Sequence, residues 1–169
     1  METLYYKSPI GTLEITGNDA YITQLIFVSS EKRGVREEDK NKFEHPATTV
    51  VQNCIIQLDN YFNGENLSFD LPILQSGTEF QQNVWDQLIK IKPGTTISYL
   101  QLSKNLGNIK AIRAVGTANG KNNIAIIVPC HRVIGSNGDL VGYAGDLWRK
   151  KWLLQHEAKF VNGVQSLFD

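Results

Sequence analysis

Between residues 72 and 78 the spacing of the apolar residues changes, and that change restricts the chain to a fold built in two differently textured parts. Ahead of it, Leu13 and Ile15 alternate with Thr12, Glu14 and Thr16, the two-residue period of a half-buried strand. Gly17-Asn18-Asp19 supplies turn chemistry, and Tyr21 to Val28 is a second β-rich run, so the front reads as a small β-meander. Residues 29–44 are dense in charge and poor in large apolar groups, which predicts an exposed loop. Val51, Cys54, Ile55, Leu58, Tyr61 and Phe62 then recur at three-to-four spacing up to Gly64, an amphipathic helix. Leu67, Phe69 and Leu71 alternate again before Pro72. Cys54 lies on the apolar stripe of the helix and reads as a small core hydrophobe.

Behind residues 72–78, which read as a linker, the texture is helical. Thr78-Glu79-Phe80-Gln81 is a capping-box pattern that opens a helix containing Val84, Trp85, Leu88 and Ile89, and Pro93-Gly94 ends it. Ser98-Tyr99-Leu100-Gln101 repeats the pattern before Leu102 and Leu106, with Gly107 as the stop. A third helix is predicted from about Lys110 to Ala118. Two short helices joined by a tight glycine-containing turn outline a helix-turn-helix. The second of them is built from small residues (Ala111, Ala114, Gly116, Thr117 and Ala118) with Lys110 and Arg113 as its cations. Small side chains let another backbone come close, whereas a reader of base sequence would carry Asn, Gln or Arg pairs. The composition suits close docking on a groove with one protruding arginine, or packing against neighbouring helices.

Of the 169 residues, 41% are apolar and 20% charged, enough to bury a core and too apolar for a disordered chain. The longest apolar run, Ile124 to Val128, is far shorter than a membrane span, and Met1-Glu2-Thr3-Leu4 carries no secretion signal. Two cysteines, Cys54 and Cys130, cannot staple a fold, and with His45, His131 and His156 scattered no metal site and no cofactor are expected. The expectation is a cytoplasmic protein with no membrane partner. The formal net charge is zero, but residues 1–77 hold six basic against eleven acidic residues and residues 78–169 the reverse balance, eleven against six. Only the basic back half suits a polyanion.

The chemistry concentrates near residue 130. Ile124 to Val128 reads as a buried strand, and Pro129-Cys130-His131-Arg132-Val133 stands at its end. A cysteine held there is reactive as its thiolate, so it needs a proton acceptor or a compensating charge. Whether His131 meets Cys130 directly or through a water depends on the turn. The last helix is predicted to start at Asp146 as N-cap and to run through Trp148, Trp152, Leu153 and Leu154. Glu157 falls four residues after Leu153 and three after Leu154, on or beside the apolar face, where a carboxylate needs a partner. His131 is one candidate; Lys150, Lys151 or solvent are others.

Pro129-Cys130-His131-Arg132-Val133 resembles the active-site motif of the O6-alkylguanine-DNA alkyltransferases, the methylated-DNA–protein-cysteine methyltransferases. The resemblance extends over residues 78–158 through Phe80-Gln81, Val84-Trp85, Ile97-Ser98-Tyr99, Arg113-Ala114-Val115-Gly116, Asn122, Gly142-Tyr143-Ala144-Gly145, Trp152-Leu153-Leu154 and His156-Glu157. Residues 1–77 are compatible with the family's variable N-terminal domain. The implied fold is α+β: a small N-terminal β-meander plus helix domain over 1–77 giving structural support, then a mostly helical C-terminal domain over 78–169. The second domain would carry a winged helix-turn-helix-like motif, the DNA contacts and the alkyl transfer.

The resemblance also implies roles. Cys130 would be the nucleophile and permanent alkyl acceptor, His131 its activator through a water, Glu157 the group that orients His131, and Asn122 a hinge that bonds near the active-site turn. Tyr99 would donate to the guanine and crowd the phosphate so that the nucleotide rotates outward, and Arg113 would fill the space left in the duplex. Lys110, Ala111, Ala114, Val133, Ser136, Tyr143 and Ala144 complete the implied contacts, with the Ala144 backbone N–H near guanine O6. The implied partner is double-stranded DNA containing O6-alkylguanine, with O4-methylthymine as a second substrate, met by a monomer that reacts once. A buried O6-alkyl group is reachable only if the base leaves the stack. Asp146 departs from the family, standing where many members have glycine. A lesion-binding protein without chemistry, a cysteine hydrolase and a winged-helix regulator are the competing classes, and a cysteine at position 130 weighs against the first.

Overall fold

A computed structural model describes residues 1–28, 48–143 and 146–162. They divide into two compact units, Met1–Gln75 and Ser76–Asp169. The charged stretch 29–44, read above as a loop, lies outside the described residues, as does Ala144.

The first unit is an antiparallel meander of β1 (Glu2–Ser8), β2 (Gly11–Gly17) and β3 (Ile22–Phe27), followed by α1 (Thr49–Asn63). Strand β1 is not evident from alternation, because Thr3 to Lys7 mixes aromatic, apolar and charged groups. It pairs with β2 from Glu2 opposite Gly17 to Ser8 opposite Gly11. Leu13, Ile15, Ile22 and Leu25 on the sheet and Val51, Cys54, Leu58 and Tyr61 on α1 are all fully buried. Each such aliphatic side chain contributes about 1.5–3 kcal/mol of transfer free energy. Glu14, which alternation assigns to the open face, is buried too. It sits on the central strand, flanked by Tyr5 on β1 and Ile26 on β3.

The turn before β3 is held by Asn18, whose Oδ1 accepts from the Ala20 and Tyr21 amides at 2.8 Å. A Cβ on Gly17 would lie 2.8 Å from the Tyr21 carbonyl oxygen, so the position tolerates only glycine. Thr48 caps α1, and the Tyr6 hydroxyl on β1 donates to Asp59 at 2.6 Å, tying helix to sheet. Residues Leu67 to Leu71 form no strand, although every second side chain there is partly covered. The expected linker begins later than residue 72: Ile22 donates to Pro72 and accepts from Leu74, both at 2.9 Å, which binds this stretch to the first unit.

The second unit contains α2 (Glu79–Ile89), β4 (Ile97–Ser98), α3 (Tyr99–Asn105), α4 (Ile112–Gly120), β5 (Val133–Ile134) and α5 (Leu147–Asn162). The Thr78–Gln81 capping box is complete. At α3 only half of one forms: Ser98 accepts from the Gln101 amide, but the Gln101 side chain turns to Asn105 at 2.8 Å. Gly107, at φ 79°, makes the left-handed turn between α3 and a 3-10 turn over Ile109–Ala111 that leads into α4. Val84, Trp85, Leu88, Leu102, Val115, Ala118, Leu153 and Leu154 build the core, and the Trp85 indole donates to the Ala118 carbonyl at 3.0 Å. Ile89, in contrast, is 51% exposed. No described helix is long and apolar enough to cross a membrane.

The predicted strand over Ile124–Val128 is absent. Ile124, Ile126 and Val128 are buried as a strand interior would be, but the chain folds back on itself through consecutive turns. The Ile127 amide donates to Ala125 at 2.7 Å, Val128 to Ile124 at 3.0 Å and Cys130 to Val128 at 2.8 Å. Ile126 takes φ 69°, an outlier for a β-branched residue. An apolar run of five residues reports burial and not backbone conformation, which here is imposed by Asn122.

Candidate active site

Asn122 is buried where α4 has ended, and its carboxamide substitutes for the missing sheet ladder. Its Oδ1 accepts from the Ile124 amide at 3.0 Å, and Nδ2 donates to the carbonyls of Val128 at 2.8 Å and Ile124 at 3.3 Å. These bonds close the turn that delivers Cys130 to the start of a short 3-10 turn, Cys130–Arg132. Strand β5 follows at once and runs parallel to β4, with Ile97 opposite Val133 and Ser98 opposite Ile134. Tyr99 follows β4 directly, and Asn119 Nδ2 links it to the Cys130 turn by donating to the Tyr99 hydroxyl at 3.3 Å and to the Cys130 carbonyl at 3.4 Å.

His131 and Glu157 are both fully buried, and His131 Nε2 lies 2.7 Å from Glu157 Oε2. A carboxylate only accepts, so Nε2 carries the proton and the neutral ring keeps its lone pair on Nδ1. Burial pulls the His131 pKa down, opposed by the Glu157 charge and hydrogen bond. Nδ1 is buried and, among the described residues, has no hydrogen-bond partner.

Arg132, also buried, grips the same carboxylate with two donors, Nε to Oε1 at 2.8 Å and Nη2 to Oε2 at 3.0 Å. Its Nη1 donates to the Ile91 carbonyl at 2.6 Å. Burial works to raise the Glu157 pKa, but His131 and Arg132 together outweigh it and hold the carboxyl well below the usual range. Of the partners open to Glu157 from sequence, His131 is realised and Lys150 is not; Arg132 is a further partner that helical spacing does not suggest.

Lys150 is fully buried on α5, and its ammonium donates to the carbonyls of Val141 at 2.8 Å and Gly142 at 3.3 Å. Burial lowers its pKa from 10.5 to about 8, while Cys130 pulls the other way. The Cys130 thiol is itself pushed up by burial, opposed by a hydrogen bond from Asn122, the Lys150 charge and its own backbone. Sequence reasoning missed Lys150 as a site residue, yet the signal is present. It precedes Leu153 by three and Leu154 by four, so the stripe that places Glu157 inward places Lys150 inward as well.

Tyr99 is half-buried; its hydroxyl donates to the Val141 carbonyl at 3.3 Å and accepts from Asn119 Nδ2 at 3.3 Å. Asn119, missed from sequence, shares the buried stripe of α4 with Val115 and Ala118. The Tyr143 hydroxyl is buried and has no hydrogen-bond partner among the described residues. Val133 is buried in β5, and Ser136 is exposed beyond it. Lys110, Arg113 and Ala114 are exposed and Ala111 half-exposed, on the side of the 3-10 turn and α4 away from the core. Asp146 precedes α5 as expected, but at φ 75°, outside the extended conformation of an N-cap, and its carboxylate engages Arg149 at 3.1 Å. The left-handed backbone at this position gives a physical reason for glycine to be favoured there.

The arrangement thus gathers a buried thiol, a neutral imidazole oriented by a carboxylate, a buried ammonium and a phenol around one turn next to a helix-turn-helix. Comparison with known proteins gives it a family. Residues 79–159 match the DNA binding domain model of 6-O-methylguanine DNA methyltransferase, and residues 2–75 match the ribonuclease-like domain model of the same protein. A methylated-DNA–protein-cysteine methyltransferase of Methanosarcina acetivorans is 43% identical over 157 residues, covering 90% of this chain and 95% of its own. The constitutive one of Bacillus subtilis is 44% identical over 139 residues, covering 82% and 84%. The crystal structure of Mycobacterium tuberculosis OGT in complex with DNA superposes with a TM-score of 0.82 at 39% identity, covering all of both chains. With both of its units matched and relatives of this similarity spanning nearly its whole length, the chain belongs to the 6-O-methylguanine DNA methyltransferase family.

Proposed function

We propose that this protein repairs DNA by direct reversal, transferring the methyl or other alkyl group of O6-alkylguanine irreversibly to Cys130 after the damaged nucleotide leaves the helix. The observation that carries the reading is the convergence on Cys130 of Asn122 and the Lys150 charge, beside a His131 held as a base by Glu157. His131 Nδ1 takes the Cys130 proton through a water, and the Lys150 ammonium compensates the thiolate that results. The thiolate attacks the alkyl carbon in line; the S–C bond forms, the O6–C bond breaks, and its electron pair passes to the guanine. Tyr99, by donating to a ring nitrogen of the guanine, stabilises the charge that develops there. The product is a thioether with no return path, so each molecule reacts once.

Lys110, Ala111, Arg113 and Ala114 form the surface that docks on the duplex, where small residues permit close approach and Arg113 fills the gap behind the extruded base. Val133, Ser136, Tyr143 and Ala144 border the guanine. The partner is double-stranded DNA bound by a monomer in the cytoplasm. The test is the intact mass of the protein after incubation with an oligonucleotide carrying one O6-methylguanine. A stoichiometric gain of one methylene, mapped to the Cys130 peptide and lost in Cys130→Ala, is expected. Binding of the lesion without any gain in mass would overturn the reading in favour of lesion sensing.

A further inference from the structure

Arg132 stands inside the Pro129-Cys130-His131-Arg132-Val133 motif, yet the alkyl transfer itself makes no use of it. It is 5% exposed, and each nitrogen of its guanidinium is committed. Nε and Nη2 donate to the two oxygens of Glu157 at 2.8 and 3.0 Å, and Nη1 donates to the Ile91 carbonyl at 2.6 Å. Ile91 lies just past α2 and Glu157 on α5, so the guanidinium is pinned between two elements. The carboxylate it grips is the one that meets His131 Nε2 at 2.7 Å. A buried ion pair is a costly way to tie two helices together, because apolar side chains of similar volume do so without desolvating charge. The charge itself therefore calls for a reason.

We infer that Arg132 is a positioning residue that keeps His131 a base, by holding the buried His131–Glu157 pair to a single proton on Nε2. The inference rests on the function proposed above only for its effect on the transfer. Count the charges: the guanidinium is positive, the carboxylate negative and the imidazole neutral, so the buried group sums to zero. Without Arg132 the pair carries one uncompensated negative charge in the core, which is relieved by taking up a proton from solvent. That proton leaves the pair either as imidazolium and carboxylate or as neutral imidazole and carboxylic acid. In both arrangements Nδ1 carries a hydrogen and its lone pair is gone. Burial works to raise the Glu157 pKa, and His131 and Arg132 are the groups that hold it down. The other cation that reaches His131 is Lys150 on α5, but its ammonium donates to the Val141 and Gly142 carbonyls. Arg132 thus acts on Cys130 at two removes, through Glu157 and then His131.

The test is the imidazole nitrogen NMR spectrum of His131 at neutral pH in the full chain, native and Arg132→Met. The signals are assigned by their loss in His131→Gln. The native ring is expected to show hydrogen on Nε2 and a bare Nδ1, and the variant to show hydrogen on Nδ1. The single-turnover rate on an oligonucleotide carrying O6-methylguanine should fall by about a hundredfold in the same variant, the lower end of what a general base supplies. Arg132→Lys restores the charge with fewer donors, and it should recover the bare Nδ1 and part of the rate. Should methionine disturb the fold, Arg132→Gln removes the charge while keeping a donor, with the same spectrum expected as for methionine. A bare Nδ1 in a folded neutral variant would overturn the inference and leave Arg132 a structural tie between Ile91 and Glu157. Spectra of the expected kind, with no methyl uptake by the native protein, would uphold the role of Arg132 and refute the proposed function instead.

Discussion

The two units each bury one cysteine, and the surroundings of the two thiols are opposite. Cys54 lies on the inner face of α1 in the first unit, fully buried among side chains such as Leu58 and Val51, and burial alone pushes its pKa up to about 12. Cys130 is buried in the second unit, but there Asn122, Lys150 and a backbone N–H each oppose the upward push. Burial therefore does not separate a structural thiol from a chemical one. What separates them is whether polar groups were brought into the core with the sulfur, and in the second unit they came at a cost in stability. Lys150, Arg132, His131 and Glu157 are all inside that unit.

The largest effect that could break this comparison is an exchange of the cysteines' roles. Cys130→Ala is expected to abolish methyl acceptance, while Cys54→Ala leaves the transfer rate unchanged and lowers stability by about 1 kcal/mol. Methyl found on the Cys54 peptide would end the distinction. Next in size is Glu157→Leu, which leaves Arg132 and His131 buried without their anion. It should destabilise the protein by about 3–5 kcal/mol in denaturant titration.

The native Glu157 also has a pH signature. Its folded pKa lies below the unfolded value, so its contribution is complete above the ordinary carboxylate range and is lost as pH falls below about 4. An acid midpoint unmoved by Glu157→Leu would contradict the geometry of the cluster.

A smaller but sharper effect concerns Lys150. The folded state lowers its pKa from 10.5 to about 8, so the unfolded chain binds the extra proton and this group costs the folded state stability below pH 8. The cost is on the order of 3 kcal/mol and is relieved as pH rises from about 8 towards 10.5. Lys150→Met should thus melt higher at pH 7 while transferring methyl about tenfold more slowly. The native rate should fall away above pH 8 as the ammonium is lost, and the variant's should not. A variant that is both less stable and equally fast would show Lys150 to be a clamp on the Val141 and Gly142 carbonyls and nothing more.

Much of this architecture is legible in the order of the residues alone. Helix α1, the complete capping box of α2 and the glycine stop between α3 and α4 follow from local rules, in which a side chain acts on backbone a few residues away. So does the inward placement of Glu157, because helical period fixes which residues share a face. The departures arise where something other than the local pattern sets the backbone. The run Ile124 to Val128 is apolar for the same reason a strand would be, but its conformation is set by a side chain, Asn122, that bonds to three backbone groups within it. Leu67 to Leu71 likewise alternate without any strand to pair with.

By itself, then, the sequence determined most of the apolar residues that lie inside, the helices to within a turn at their ends, and that the residues around Cys130 resemble those of an alkyltransferase. Only the tertiary structure decided the partners. Glu157 was equally open to His131, lysine or solvent, and it takes His131 and Arg132 because the turn after Cys130 and the face of α5 meet across 25 residues of chain. Lys150 shares its stripe, yet it reaches the Val141 and Gly142 carbonyls instead. Periodicity reports which way a side chain points relative to its own element; what stands there to meet it depends on how separate elements pack, and no spacing along the chain records that distance.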